Sequence, residues 1–449
     1  MTTTGRIEDR GRQAGAAACP PIVRRLAWAA VVWMAWLGLS GCMIRTPASV
    51  DRYQIDGPRA DGTVLVDWPA RYTQPLVEMA DRPKDLRRAS DVLTPQRRRE
   101  RLIGVPGETK PGRTRFHGVY GQGVISELVA EPSAQLRTES DVTYRRSVLA
   151  FVTTNLPPET FDSYIRWQDQ GVPVEPLGVT YLIIREPAES PSRGVVMHVT
   201  SVYPDSPYER AVKLALLRRG WTVIDVDGAT GLFRSPRGMF LIDKEKGVEP
   251  TARSVARAVD RRLAEWAYAA EAMFEYLDDR GGATPSKPAV LVGCSLGAIA
   301  APTIVARLPD RFEAAVLIGG GANVLKITQR SSLTDAGLEL LTTGGSLSSS
   351  DRHELFDRYL DASRLDPHHT AAAMGGIPVL VVHAIFDRIV PASTGRALYE
   401  QLDRPERWSF PVGHLGLFWL LPSQSARIAE WIGAQVPSDP AADGAEERE

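Results

Sequence analysis

Cysteine is scarce in this 449-residue chain, which has three, Cys19, Cys42 and Cys294. They are too few for a disulfide framework and lack the spacing of metal ligands, so no metal site is expected from them. Histidine is scarce as well, with seven residues in all. That narrows the candidates for any general base. A bulk excess of one charge is also missing: 53 basic and 54 acidic residues leave a formal net charge of -1. The balance argues against a polyanion partner, and no nucleic acid is expected to bind. The short run of arginines at 97–99 reads as a solvated face. The most conspicuous apolar run is about 14 residues, short of the roughly 20 that a membrane-spanning helix needs. What the chain does have is apolar substance: 43% of its residues are hydrophobic, enough for a large core with extensions.

That run, residues 26–39, follows Arg24 and Arg25 and is succeeded by the small residues Ser40 and Gly41. A positive flank, a short apolar core and small residues form the pattern of a secretory signal. Leu39-Ser40-Gly41-Cys42 resembles the lipobox of bacterial lipoproteins. The resemblance implies cleavage before Cys42, lipidation of Cys42 and anchoring at the cell envelope, because several acyl chains on one residue hold a membrane where one does not. A plain cleaved signal, or an uncleaved anchor in which Cys42 is merely small, is the alternative. The expected organisation is a signal peptide over 1–41, an irregular tether over 42–114, a main domain over 115–436 and a disordered tail over 437–449.

Within the main domain, residues 115–176 suggest extra strands and a short helix. Regular alternation begins near residue 178. Apolar runs at 179–184, 195–199, 221–226, 289–292, 314–318, 379–382 and 408–410 read as strands, mostly buried on both faces as in a parallel sheet. Ser206-Pro207-Tyr208-Glu209 has the form of a capping box opening a helix. Val255, Val259, Leu263, Trp266, Ala270 and Leu277 recur at helical steps, with Arg253, Arg257 and Arg261 towards the other side. Strand and helix alternating predict a doubly wound, mostly parallel α/β sheet. The alternation breaks over 323–376, an insertion that is either a cap over the site or a flexible excursion.

Gly293-Cys294-Ser295-Leu296-Gly297 is a G-x-S-x-G pattern between an apolar strand and a helical stretch. A serine on such a tight turn projects its oxygen above the sheet. The five residues alone are a weak signal, and their partners matter more. A serine hydroxyl needs a base, and the base needs a carboxylate to fix its tautomer. Downstream, a strand at 378–382 leads to Asp387 and then Val390-Pro391, and Val412-Gly413-His414 follows the last strand. In this order, over roughly 178–431, the chain resembles the α/β-hydrolase superfamily. The resemblance implies Ser295 as nucleophile, Asp387 as acid and His414 as base, with no cofactor. It also implies an oxyanion hole with the Leu296 N–H as one donor. The second should come from the loop after residue 199, where the family usually has His-Gly. This chain has His198-Val199-Thr200-Ser201, so Thr200 and Ser201 are both candidates. His383 reads as a packing residue, His368 and His369 as surface residues, and Cys294 as a small filler.

The expected function is that of an envelope-anchored serine hydrolase acting on small-molecule or lipid esters. A serine peptidase with the same triad, or a catalytically inactive binding protein, remains open.

Overall fold

The computed structural model describes residues 44–46, 113–120, 123–129, 136–153, 179–203, 206–228, 238–279, 288–333, 338–343 and 345–436. The expected signal peptide, Cys42, the helix near 161–167, the tail from 437 and most of the tether lie outside these residues. No helix among the described residues is long and apolar enough to cross a membrane.

In chain order the strands are β1 (Ile44–Thr46), β2 (Arg113–Tyr120), β3 (Gly123–Val129), β4 (Leu136–Glu139), β5 (Val142–Thr153), β6 (Val179–Pro187) and β7 (Gly194–Val199). Helix α1 (Pro207–Leu217) leads to β8 (Trp221–Asp227) and β9 (Gly238–Ile242), then α2 (Glu249–Asp279), β10 (Ala289–Cys294) and α3 (Leu296–Arg307). The rest comprises β11 (Ala314–Ile318), α4 (Val324–Arg330), β12 (Leu338–Thr342), α5 (Ser349–Ala362), α6 (Pro367–Thr370), β13 (Val379–Ala384), α7 (Ala392–Gln401), β14 (Glu406–Phe410) and α8 (His414–Gln435). The main sheet runs β1-β14-β13-β11-β10-β7-β8-β6-β5-β3-β2, with β4 on β5. From β14 to β8 every pairing is parallel. From β8 through β6 and β5 to β2 every pairing is antiparallel. This is the α/β-hydrolase fold, its parallel half carrying the candidate site.

Side-chain alternation along each parallel strand feeds two cores. Val195, Met197 and Val199 of β7 pack with α2 and α3 on one face, while Val196 packs with α1 and α8 on the other. Covering both faces explains why these strands read as continuous apolar runs. The helical stripe Val255 to Leu277 is buried against the first face, and Arg253 and Arg257 are exposed.

Three expectations need correction. The stretch 42–114 is not wholly irregular: Ile44–Thr46 pairs antiparallel with β14, satisfying backbone groups that an open sheet edge would leave bare. Of the two readings of the insertion at 323–376, the flexible excursion is the one that does not hold: its described part is docked on the domain. Leu355, Phe356 and Tyr359 of α5 join the core under α2, and β12 pairs with β9 in a second, two-stranded parallel sheet. The fully buried Asp366 ties this region together, accepting the N–H groups of Asn323 (2.8 Å) and Val324 (2.7 Å) and the Tyr359 hydroxyl (2.8 Å). Finally, Ser206 caps α1 by accepting the Glu209 N–H at 3.3 Å, but the Glu209 side chain turns inward and is completely buried.

Candidate active site

β10 delivers Ser295 to the point where strand becomes helix. Its φ is 51°, its ψ -109°, a backbone state that costs on the order of 1–3 kcal/mol for a residue with a Cβ. The flanking glycines let this turn close. A Cβ at Gly293 would lie 2.7 Å from Ala298 Cα, and one at Gly297 2.0 Å from the Val199 carbonyl oxygen. The Ser295 N–H is held by the Ile318 carbonyl at 2.7 Å.

Three side chains predicted from separate parts of the sequence meet here. His414, the first residue of α8, has Nε2 2.9 Å from Ser295 Oγ and Nδ1 2.6 Å from Asp387 Oδ2. The other Asp387 oxygen accepts the N–H groups of Ile389 (2.9 Å) and Val390 (2.8 Å). Those bonds fix the carboxylate's rotamer and therefore the direction it presents to the imidazole. All three residues are buried. Such a relay lets an imidazole take a hydroxyl proton while a carboxylate stabilises the imidazolium that forms.

The oxyanion candidates separate. Leu296 and Ser201 border the same cavity as Ser295. As the first residue of α3, Leu296 has no intrahelical acceptor for its N–H. Thr200 is not brought to the cavity: its N–H and its hydroxyl both go to the Val226 carbonyl, at 3.3 and 3.4 Å. The chain at Thr200 still follows the ladder to β8, so its candidacy is corrected. Ser201, one residue later, leaves the ladder and borders the cavity, but its N–H and hydroxyl both go to Glu209, so it supports the loop rather than offering a free donor.

The cavity has a volume of about 340 Å³. Its walls are largely apolar, with Ile299, Ile327, Leu333 and Phe418 among them, and among the described residues no carboxylate lines it. The insertion contributes α4 and the turn after it. At the mouth stand Tyr203, Leu415 and Trp419, all well exposed. Sequence reasoning missed these walls because side chains from five separate segments compose them.

Beneath the Ser201 loop lies a buried polar cluster. Arg185 (2.5 Å) and Lys213 (3.0 Å) reach Asp225, and His198 Nδ1 lies 3.0 Å from its other oxygen. Burial alone would raise the Asp225 carboxyl, but Arg185 and then Lys213 hold it well below the usual range. Burial raises Glu209, against the pull of His198 and Lys213. His198, Glu209 and Cys294 are the one group among the described residues with metal-ligand atoms close together, all within 4.8 Å. Burial, then Glu209, pushes the Cys294 thiol well above its ordinary pKa. Within the cluster His198 Nε2 lies 3.6 Å from Cys294 Sγ and 3.6 Å from a Glu209 oxygen. Elsewhere, burial and then Arg407 lower His383 to about 4. His368 and His369 are half-buried rather than fully on the surface, and His369 Nε2 lies 2.9 Å from the Leu360 carbonyl.

Residues 257–410 match the model of the prolyl oligopeptidase family. No curated protein matches the chain. Among solved structures, it is similar to Est1E from Butyrivibrio proteoclasticus, with 12% identity, 58% of this chain and 95% of that one covered, and a TM-score of 0.39. An esterase of Pyrococcus furiosus gives 15%, 57%, 87% and 0.37. A cold-adapted esterase from an Arctic intertidal metagenomic library gives 14%, 67%, 97% and 0.38. A parallel half-sheet with its elbow serine and a matched segment that spans this elbow agree with one another: the chain is a hydrolase of the α/β-hydrolase superfamily.

Proposed function

We propose that this chain hydrolyses carboxylic esters through an acyl-enzyme. Ser295 Oγ attacks the acyl carbonyl as His414 Nε2 takes its proton, and Asp387 orients the imidazole and balances its charge. The Leu296 N–H is the donor assigned to the oxygen that becomes negative; Ser201, whose own N–H and hydroxyl go to Glu209, holds the loop 200–203 beside it. The imidazolium returns its proton to the departing alcohol. Water, deprotonated by the same imidazole, then releases the acid and restores the Ser295 hydroxyl.

The observation that carries ester over amide cleavage is the uncharged, apolar cavity joined directly to the relay. An acyl chain gains from such walls. A peptidase that grips a free amino terminus needs an acidic group, and none lines the cavity among the described residues. The family match favours a second reading, a serine peptidase. A panel of p-nitrophenyl esters against aminoacyl anilides decides between them: esters of medium chain length should be the better substrates, and preferential anilide cleavage would transfer the assignment to peptidases. Fluorophosphonate labelling that persists in wild type and vanishes in Ser295→Ala separates an enzyme from an inactive binding protein.

The proposed address is the cell envelope, through lipid on Cys42. Arg24-Arg25, the apolar run and Leu39-Ser40-Gly41-Cys42 support it. A membrane-associated ester is then an accessible substrate. Incorporation of an alkyne palmitate analogue that is lost in Cys42→Ser tests the anchor.

A further inference from the structure

Strand alternation sends His198, Asp225 and Cys294 to the sheet face covered by α1, where Glu209 and Lys213, one helical turn apart, meet them. The fully buried Glu209 turns both carboxylate oxygens to Ser201, while the Ser206 hydroxyl also donates to Oε1 at 3.4 Å. One oxygen accepts the Ser201 hydroxyl in a short hydrogen bond. The other accepts the Ser201 N–H at 3.4 Å and lies 3.6 Å from His198 Nε2. Ser201 Oγ in turn accepts the Tyr203 N–H at 3.1 Å. Ser201 and Tyr203 border the cavity beside Ser295. From the other side, Gly297 admits the Val199 and Thr200 carbonyls closer than any Cβ would allow. Burying a carboxylate is unfavourable unless charges and donors compensate it. Capping α1 would not require it, because a glutamate at that position can cap from the surface.

We propose that Glu209 is a positioning residue for the oxyanion side of the reaction. By gripping Ser201 it fixes the loop 200–203 against the nucleophile elbow, doing the work that a His-Gly turn does elsewhere. The inference rests on the hydrolase reading above. A loop displaced by a few tenths of an ångström still admits substrate but meets the developing oxyanion poorly, so the loss falls on the transition state.

The test is ester kinetics on the full chain for wild type, Glu209→Gln, Ser201→Ala and the double variant, with thermal unfolding in parallel. Glu209→Gln keeps the volume and replaces one acceptor oxygen by a donor. Its kcat should fall about tenfold to a hundredfold, with KM within about twofold, and its fluorophosphonate labelling should slow in step. Ser201→Ala should fall in the same direction. Because both act through one contact, the double variant should be no slower than the slower single variant by more than about twofold. A folded Glu209→Gln with wild-type kcat, a loss confined to KM, or fully additive losses would each overturn the proposal. Should Glu209→Gln not unfold cooperatively, Ser201→Ala decides alone, and an unchanged kcat there overturns it. A wild-type chain that neither turns over esters nor labels would instead defeat the underlying hydrolase reading.

Discussion

Replacing Asp387 by asparagine removes one charge and almost no volume, and the surroundings dictate how the new amide sits. The N–H groups of Ile389 and Val390 both point at Oδ1, so the amide oxygen must occupy that position. The amide nitrogen then faces His414 Nδ1, where a carboxylate oxygen stood 2.6 Å away. Two donors cannot face each other, so Nδ1 becomes the acceptor and the imidazole proton moves to Nε2. That proton points at Ser295 Oγ, 2.9 Å away, and the base can no longer receive the hydroxyl proton. A wrong tautomer of this kind costs about 10⁴-fold in kcat, equivalent to about 5 kcal/mol of transition-state stabilisation. The fold should persist because the backbone bonds to the side-chain oxygen survive. The assay is steady-state hydrolysis of a p-nitrophenyl ester near neutral pH, with a thermal melt to verify folding. A folded Asp387→Asn protein within tenfold of wild-type kcat would refute the argument, since Asp387 would then not set the His414 tautomer.

Other outcomes follow from the same geometry. Gly297→Ala places a Cβ 2.0 Å from the Val199 carbonyl oxygen, so backbone must part. Stability should drop by about 1–3 kcal/mol together with kcat, and a variant with wild-type melting and turnover would show that the loop is not packed this closely. Ile299→Phe narrows the cavity and should shift the decanoate-to-acetate ratio of kcat/KM downward by about tenfold or more; an unchanged ratio would place the acyl chain elsewhere. His383 is neutral in the folded protein down to about pH 4, whereas the unfolded chain protonates near 6.5. Acid therefore pulls towards unfolding, and between pH 6.5 and 4 this residue removes about 3 kcal/mol of stability. Denaturant titrations across that window should be flatter for His383→Asn, and equal slopes would contradict the burial argument.

The parallel strands were legible because burial on two faces leaves an unbroken apolar run. The triad was legible because each member stands beside its own strand end. Other features depended on partners far apart in sequence. Nothing in residues 238–242 announces a partner at 338–342, yet these two strands pair in register. Residues 44–46 gain a strand only by meeting β14. Glu209 was misread for a different reason. Its spacing from Ser206 satisfies a local rule, and the tertiary contact with Ser201 overrides half of that rule. Thr200 and Ser201 could not be ranked from sequence because the distinction lies in where the β7 ladder ends, a matter of one hydrogen bond to Val226.

Helix α8 has an uncommon concentration of duties. Its first residue is the proposed base, its fifth, Phe418, lies with its ring centre 5.1 Å from that imidazole and forms cavity wall, and Leu415 and Trp419 stand at the entrance. A rigid rod that bears both the proton acceptor and the substrate's boundary cannot be retuned for one without disturbing the other. Selectivity engineering aimed at α8 should therefore trade turnover for fit. The opposite bank, formed by α4 and the turn to Leu333, is attached to different elements and offers the freer ground for changing what the enzyme accepts.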